Sequence, residues 1–193
     1  RNTLYYWQIY LNDFIYGPGK IRSIQRQLEA HVSISVYMVF TQPSLWGLQS
    51  LYDALKRDPR FQPTVIVMPN TEGPIDTWPQ SFEDNWEFFV SRCPSPIAGW
   101  SEKDGFRSPR RIWRKPAILF IEQPSLHLTS KWSLREISKR NLVAYVPYGF
   151  KVASVESDHF NLPLHNAAWR VYAETQWHKE KFAEWGKRGG KNV

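Results

Sequence analysis

Four short apolar segments recur along the chain and limit the folds that it can adopt. They are residues 32–40, 64–68, 117–121 and 142–146, and each is followed at once by a proline or by polar residues. Apolar runs of this length without alternation are typical of strands buried on both faces. Because helical patterns lie between them, we predict an α/β fold, a Rossmann-like parallel sheet flanked by helices.

The helical patterns and turn signals predict the remaining elements. Helices are expected at residues 4–15, 20–30, about 48–55, 80–91, 133–139, 164–175 and 176–185, and a further short strand at 96–100. Gly17-Pro18-Gly19 is expected to separate the first two helices, and Ser44 to cap the third. We therefore expect a helical extension (1–31), a Rossmann-like domain (32–185) and a linker (186–193).

Composition and charge bound the function. A chain of 193 residues with 42% hydrophobic residues can bury the core of one domain, and no run approaches the roughly 20 apolar residues of a membrane span. Cys93 is the single cysteine, so no internal disulfide can form, which suits a reducing cytoplasm. A net charge of +7 favours nucleic acid, anionic membrane surfaces or phosphate-bearing substrates as partners.

The loops at the carboxyl ends of the strands are the expected ligand sites of a parallel sheet. They are residues 41–47, 69–73, 99–105, 122–131 and 147–165, and the last two are chemically dense. The first of these carries Glu122, Gln123, His127 and Lys131. A carboxylate there could orient a hydroxyl or accept its proton. The structural alternative is that Glu122 caps a neighbouring helix and Gln123 ties down the loop.

The second dense loop brings two histidines toward the same edge. It carries Tyr148, Gly149, His159, Asn161, His165 and Asn166. A histidine can take the proton of an attacking hydroxyl near neutral pH, so we expect at least one of His159 and His165 in the cleft, although either could be structural. Gly149 would allow close backbone approach to a ligand. His31 and His178 are taken as surface or packing residues.

Several familiar motifs are missing. The sequence contains no GxGxxG after the first strand and no GxxxxGK[ST], so a self-contained dinucleotide or P-loop site is disfavoured. It has no HExxH and no GxSxG, and one cysteine cannot build a cysteine-rich zinc site. We therefore expect neither a metal nor another cofactor.

Ordered segments of the chain resemble one protein family. The run VYMVFTQPSLWGLQSLYDALKRDPRFQPTVIVMPN is similar to the opening βαβ unit of bacterial CDP-glycerol glycerophosphotransferase-like proteins. WEFFVSRC, IAGWSEKDG, KPAILFIEQPSLH, LVAYVPYGF and LHNAAWRVYAETQWHK follow in the family's order. The resemblance covers roughly residues 32–193.

The resemblance implies the acceptor-side, N-terminal half of a GT-B transferase. Such an enzyme moves glycerol phosphate or a sugar from a nucleotide-activated donor to a hydroxyl of a polymer or lipid-linked cell-surface precursor. The donor would lie mainly on a second domain, into which GKNV leads, so this half alone should be inactive. Such precursors lie on the inner face of the cell membrane, and the basic surface fits a cytoplasmic protein attached there peripherally.

The strand-end residues and the resemblance together give the expected site residues. His165 and His159 are the expected catalytic residues, with Glu122, Gln123, Tyr148, Gly149 and Asn166 binding substrate. Tyr148 stands where better-known members carry the histidine of a WHGTPLK-like motif, so the base would be another group, or the transferred group would differ.

Two alternatives to a transferase half remain open. One is a non-catalytic interaction or nucleic-acid-binding module, for which RSPRRIWRK at 107–115 is the most convincing local pattern. Nucleic acid is nevertheless the less favoured partner. The other is a degenerate GT-B half that binds polymer without transferring a group.

Overall fold

Six parallel strands form the central sheet of the computed structural model, which describes residues 2–113, 115–123, 132–149 and 159–193. The strands are β1 (Ile34–Phe40), β2 (Phe61–Val67), β3 (Ile97–Ala98), β6 (Ile118–Ile121), β7 (Leu142–Tyr145) and β8 (Arg170–Val171). Their order is β3-β2-β1-β6-β7-β8, and every pairing is parallel. This is the strand order of a doubly wound Rossmann-like sheet, so the predicted fold class is confirmed.

Helices cover both sides of the sheet. They are α1 (Asn2–Glu29), α2 (Gln49–Arg57), α3 (Trp78–Val90), α4 (Pro109–Ile112), α5 (Leu134–Arg140), α6 (Pro163–Ala167) and α7 (Gln176–Trp185). Tyr52 of α2 and Phe89 of α3 pack in one core, while Ile137, Leu164 and Phe182 bring α5, α6 and α7 into the other. We call these the α2–α3 side and the α5–α7 side.

The strands supply alternate residues to the two cores, as the pleat requires. In β1, Val36 and Met38 face the α2–α3 side, whereas Tyr37 and Val39 face the α5–α7 side. Because both faces are covered, the central strands carry apolar residues at successive positions. This burial explains why these strands could be predicted from short apolar runs.

The first helix differs from its prediction. Residues 2–29 form one helix that runs through Pro18, rather than two helices separated at Gly17-Pro18-Gly19. Contacts at its far end favour this continuity, since Lys20 Nζ donates to the carbonyls of Ser138 and Asn141, and Gln27 Nε2 to that of Pro116. Those carbonyls precede β7 and β6, so α1 lies at the amino ends of these strands, opposite the expected ligand edge.

Two other predicted boundaries were wrong. The helix predicted at 164–175 ends at Ala167, and the chain then pairs with β7 as β8, through Trp169 N to Val143 O (2.7 Å) and Tyr172 N to Tyr145 O (2.9 Å). Ser44 does not cap α2. It lies in a one-turn 3-10 helix (Pro43–Leu45), and α2 begins after Leu48. At β8, backbone hydrogen bonds to the distant strand β7 override the helical pattern, whereas at Ser44 local 3-10 hydrogen bonds delay the start of α2.

The short strand predicted at 96–100 is divided in two. Its first part is β3, at the edge of the main sheet, and its second part begins a separate hairpin of β4 (Trp100–Ser101) and β5 (Gly105–Phe106). Gly99 lies between them, packed so closely on Met68 that a Cβ would stand 2.5 Å from its sulfur.

The C-terminal residues 186–193 pack against the domain. Asn192 is buried, and its Nδ2 donates to the carbonyls of His165 and Ala168, while its own carbonyl accepts Val171 N. The predicted domain boundaries stay predictions. Among the helices of the described ranges, none has both the length and the apolar character to pass through a membrane.

Candidate functional site

The strand order reverses between β1 and β6, and this reversal defines the candidate site. The chain leaves β1 toward α2 on one side of the sheet and leaves β6 toward α5 on the other. At such a switch point of a doubly wound sheet, a ligand crevice is expected above the carboxyl ends of β1 and β6. Thr41 follows β1 directly, and Glu122 and Gln123 follow β6.

Glu122 is the chemically unusual residue of this crevice. It is 4% exposed, and its Oε1 accepts the backbone N–H of Gly47 at 2.8 Å. Its Oε2 is buried and has no hydrogen-bond partner. Phe120 faces the α2–α3 side, so alternation directs Glu122 to that side too, where Gly47 precedes α2. A buried polar atom without a partner is rare in folded proteins, and a catalytic role is one of the explanations for it.

Burial also changes the acidity of this carboxyl. It raises the pKa of Glu122 from an ordinary value of 4.5 to about 7, and the Gly47 hydrogen bond opposes the rise only in part. A group with such a pKa is present in both protonation states near neutral pH. It can therefore accept or donate a proton there.

Gln123 links three strand ends beside this carboxyl. Its Oε1 accepts the hydroxyl of Thr41 at 3.0 Å, and its Nε2 donates to Glu72 Oε1 at 2.7 Å. Glu72 belongs to the loop after β2, where its N–H donates to Asn70 Oδ1 at 3.0 Å. The ends of β1 and β6 and the loop after β2 are thus joined by side-chain hydrogen bonds of Gln123.

Asn85 stabilises the base of the crevice from α3. Its Nδ2 donates to the carbonyls of Thr41 and Met68, each at 2.7 Å, and its side chain is almost wholly buried. These carbonyls lie just past the ends of β1 and β2, where the pairing of the two strands stops. Thr41, Gly47, Glu72 and Asn85 were not identified from the sequence. The positions of Thr41, Gly47 and Glu72 in loops after predicted strands gave the only signal.

The second predicted group of site residues is divided between the surface and the core. Tyr148, Gly149 and His159 are exposed. A side chain at Gly149 would meet no other atom within 4 Å, so packing does not require glycine there. Burial is the main cause that raises the pKa of Tyr145, and Glu174 and the hydroxyl of Tyr148 raise it further.

His165 and Asn166 take part in packing. The His165 ring lies 4.8 Å from that of Tyr145 and 5.0 Å from that of Phe182, and its Nδ1 accepts the N–H of Leu162 at 3.3 Å. These neighbours place it on the α5–α7 side, across the sheet from Glu122.

The amide of Asn166 has hydrogen-bond partners on both of its atoms. Its Nδ2 donates to Asn161 Oδ1 at 2.9 Å, and its Oδ1 accepts Lys187 N at 2.9 Å. It joins the start of α6 to the C-terminal residues. The substrate-binding role predicted for Asn166 and the catalytic roles predicted for His165 and His159 stay predictions.

The remaining residues singled out from the sequence are two in the loop after β6, His127 and Lys131, and two further histidines, His31 and His178. His127 and Lys131 lie outside the described residues. His31 is exposed, and His178 is fully buried, with Thr175 Oγ1 2.8 Å from its Nδ1. Within the described ranges, no three histidine, cysteine or acidic side chains are grouped so as to hold a metal ion.

Comparison with protein-family models, with curated proteins and with solved structures found no match for this chain. Any account of its function therefore depends on the geometry of the crevice and on the resemblance noted in the sequence.

Proposed function

We propose that the chain is the acceptor-side half of a GT-B-type transferase in which Glu122 is the general base. The observation that carries the proposal is the buried Glu122 carboxyl at the switch point, with one oxygen held by Gly47 and the other without a partner. Its pKa of about 7 suits proton transfer near neutrality. The family resemblance supports the same edge but not the carboxylate, because the family's strand end reads QQP where this chain has EQP.

In the proposed reaction, Glu122 takes the proton of an acceptor hydroxyl through Oε2. The hydroxyl oxygen then forms a bond to phosphorus of an activated glycerol phosphate, or to the anomeric carbon of an activated sugar. The bond to the leaving nucleotide breaks, and its electron pair departs with the nucleotide. The donor would be held mainly by a second domain, as in the family, so catalysis combines positioning with one base.

The roles of the neighbouring residues follow from their contacts. Gly47 N–H keeps Oε1 fixed, so Oε2 is the carboxylate oxygen left without a protein partner and is the one assigned to the acceptor hydroxyl. Gln123, held by Thr41 and Glu72, supports the floor beside it. With Glu122 as the base, no histidine is needed at position 148, because the base comes from the end of the neighbouring strand β6.

A transfer assay tests the proposal on the polypeptide as its source cell makes it, so that any further domain is present. Labelled CDP-glycerol and nucleotide sugars are offered with membrane extract from that cell, and nucleotide release is followed. We expect Glu122→Gln to reduce turnover by about 100-fold or more, as loss of a general base does. His159→Ala and Tyr148→Phe serve as comparison variants, because each changes another predicted site residue and leaves the Glu122 carboxyl intact. Equal turnover by Glu122→Gln and the wild type, or no turnover of any donor by the wild type, would overturn it.

The nucleic-acid alternative receives little support from the basic stretch at 107–115. Trp113, the aromatic residue of that stretch, is 3% exposed, and its ring packs 5.2 Å from that of Trp132. A buried ring cannot stack on a base. Nor does attachment to the inner membrane face follow from the fold, and it remains part of the proposal.

A further inference from the structure

A separate cavity lies at the carboxyl end of β3, beside the β4–β5 hairpin. Its volume is about 420 Å³, within the range of small-molecule sites, roughly 300–1,000 Å³. Its lining includes Trp100, Ser101, Asp104, Phe106, Arg107 and Ser108. None of these residues takes part in the hydrogen bonds around Glu122.

The backbone around the cavity is held in place without a ligand. Arg107 N donates to Gly99 O at 2.8 Å, and Trp132 Nε1 donates to Arg107 O at 2.8 Å. At the turn, Asp104 N donates to Ser101 Oγ at 3.1 Å, and Gly105 has a φ of +66°, a left-handed conformation that favours glycine. A pre-formed cavity loses little entropy on binding, which favours a small ligand.

The chemistry of the lining selects among ligands. Phe106 brings a half-buried aromatic ring beside the largely buried Trp100, Ser101 and Ser108 bring hydroxyls, and Asp104 and Arg107 bring one charge of each sign. A phosphate would meet Arg107 but also the like charge of Asp104, which disfavours it. A neutral ring with many hydroxyls can donate to the carboxylate, accept from the guanidinium and place its C–H face on an aromatic ring.

We propose that this cavity binds one neutral hexopyranose unit. In the strand order, β3 is three places from β6, so at about 4.8 Å per strand the cavity is roughly 14 Å along the sheet from the β6 end. One sugar ring cannot span that distance, whereas a short oligosaccharide can. Assigning the cavity as a distal acceptor subsite rests on the proposed function, but the binding of the ring itself does not.

A titration of the full ¹⁵N-labelled chain tests the proposal. The probes are D-glucose, D-galactose, N-acetyl-D-glucosamine and N-acetyl-D-mannosamine, with inorganic phosphate and sn-glycerol 3-phosphate for comparison. We expect at least one sugar to shift the amide signals of Gly99, Gly105 and Arg107 saturably, while the phosphates leave them unchanged. No saturable shift by any sugar up to roughly 100 mM, or the same shifts with phosphate, would overturn the proposal.

Variants in the hairpin sharpen the test. Asp104→Ala and Arg107→Ala should each weaken sugar binding by about tenfold or more, since each removes a charged hydrogen-bonding group. Lys103→Ala changes a residue of the same turn that does not line the cavity, and should bind as the wild type does. If Asp104→Ala and Arg107→Ala also bind sugar as the wild type does, this cavity is not the sugar-binding site.

Glu122→Gln separates this proposal from the proposed function. It should leave the sugar-induced shifts at the hairpin unchanged, because Glu122 does not line the cavity. If the wild-type chain binds no sugar, the subsite proposal fails, but the assignment of Glu122 as the base is unaffected. If Glu122→Gln keeps full transfer activity, the assignment of Glu122 as the base fails, but the subsite proposal is unaffected.

Discussion

Glu122 accepts the N–H of Gly47 through Oε1 at 2.8 Å, while its Oε2 is buried without a partner. The contact joins the end of β6 to the loop after β1, across the point where the strand order reverses. Gly47 also leaves little space there, since a Cβ at this position would stand 3.1 Å from Oε1. The proposed base is thus fixed by a residue 75 positions away in the sequence.

Stability should fall as the pH rises through the range in which Glu122 titrates. Its pKa is raised in the fold from 4.5 to about 7, so the folded state holds the proton more tightly than the unfolded state. The stabilisation is complete below about pH 4.5 and is lost as the pH passes 7, with a total of at most roughly 3 kcal/mol. Urea unfolding at pH 5 and pH 8 measures the difference.

Glu122→Gln should remove most of this dependence, because glutamine does not titrate. Glu72→Gln neutralises a second carboxyl nearby, the one that accepts from Gln123, and serves as the charge-matched comparison. A ¹³C titration of the Glu122 carboxyl provides an independent measurement. A midpoint near 4.5 would contradict the assignment of this group as a base active at neutral pH.

The sequence could predict elements whose signal is local. The helix at 176–185 was confirmed with its bounds, and the apolar runs located the four central strands because burial on both faces leaves such runs. In contrast, β8 has two residues and depends on pairing with β7, so a helical pattern concealed it. Pro18 predicted a break in α1, but the contacts of Lys20 and Gln27 with distant carbonyls outweighed that local preference.

The residues of the candidate site, too, could be predicted only where their sequence signal is local. Glu122 and Gln123 could be predicted because the rule about strand ends depends only on locating β6. Their partners Gly47 and Thr41 come from 75 and 82 positions away, and no local spacing indicates those contacts. His165 looked like a base near a helix start, yet its position between two aromatic rings depends on how α6 and α7 pack.

Gly99→Ala should destabilise the protein. A Cβ at this position would lie 2.5 Å from Met68 Sδ and 2.6 Å from its Cε, and Met68 is fully buried. Because the nearest atoms are the flexible end of Met68, we expect the low end of the about 1–3 kcal/mol that overpacking of a core costs, measurable by urea unfolding. Gly149→Ala is the matched control, since its Cβ would meet nothing within 4 Å. Adding Met68→Ala to Gly99→Ala should show non-additive energies, and strict additivity would contradict the contact.

Lys20→Met should weaken the attachment of α1. The Lys20 ammonium donates to the carbonyls of Ser138 and Asn141 at the end of α5, where a positive charge is also favourable. Losing these charged hydrogen bonds should lower the free energy of unfolding by about 2–3 kcal/mol. Arg22→Met removes the same charge from the exposed surface of α1 and should change it by less than about 0.5 kcal/mol. Equal effects of the two variants would contradict the proposed attachment.

His165→Ala should act on folding. The change removes a ring packed between Tyr145 and Phe182 and the acceptor of the Leu162 N–H, so we expect a loss of about 2–4 kcal/mol in urea unfolding. His159→Ala alters an exposed histidine and should cost less than His165→Ala does. His165→Phe keeps the packing without the acceptor and should fall between wild type and His165→Ala. If His165→Ala unfolds at the wild-type urea concentration but loses transfer activity, His165 rather than Glu122 is the base.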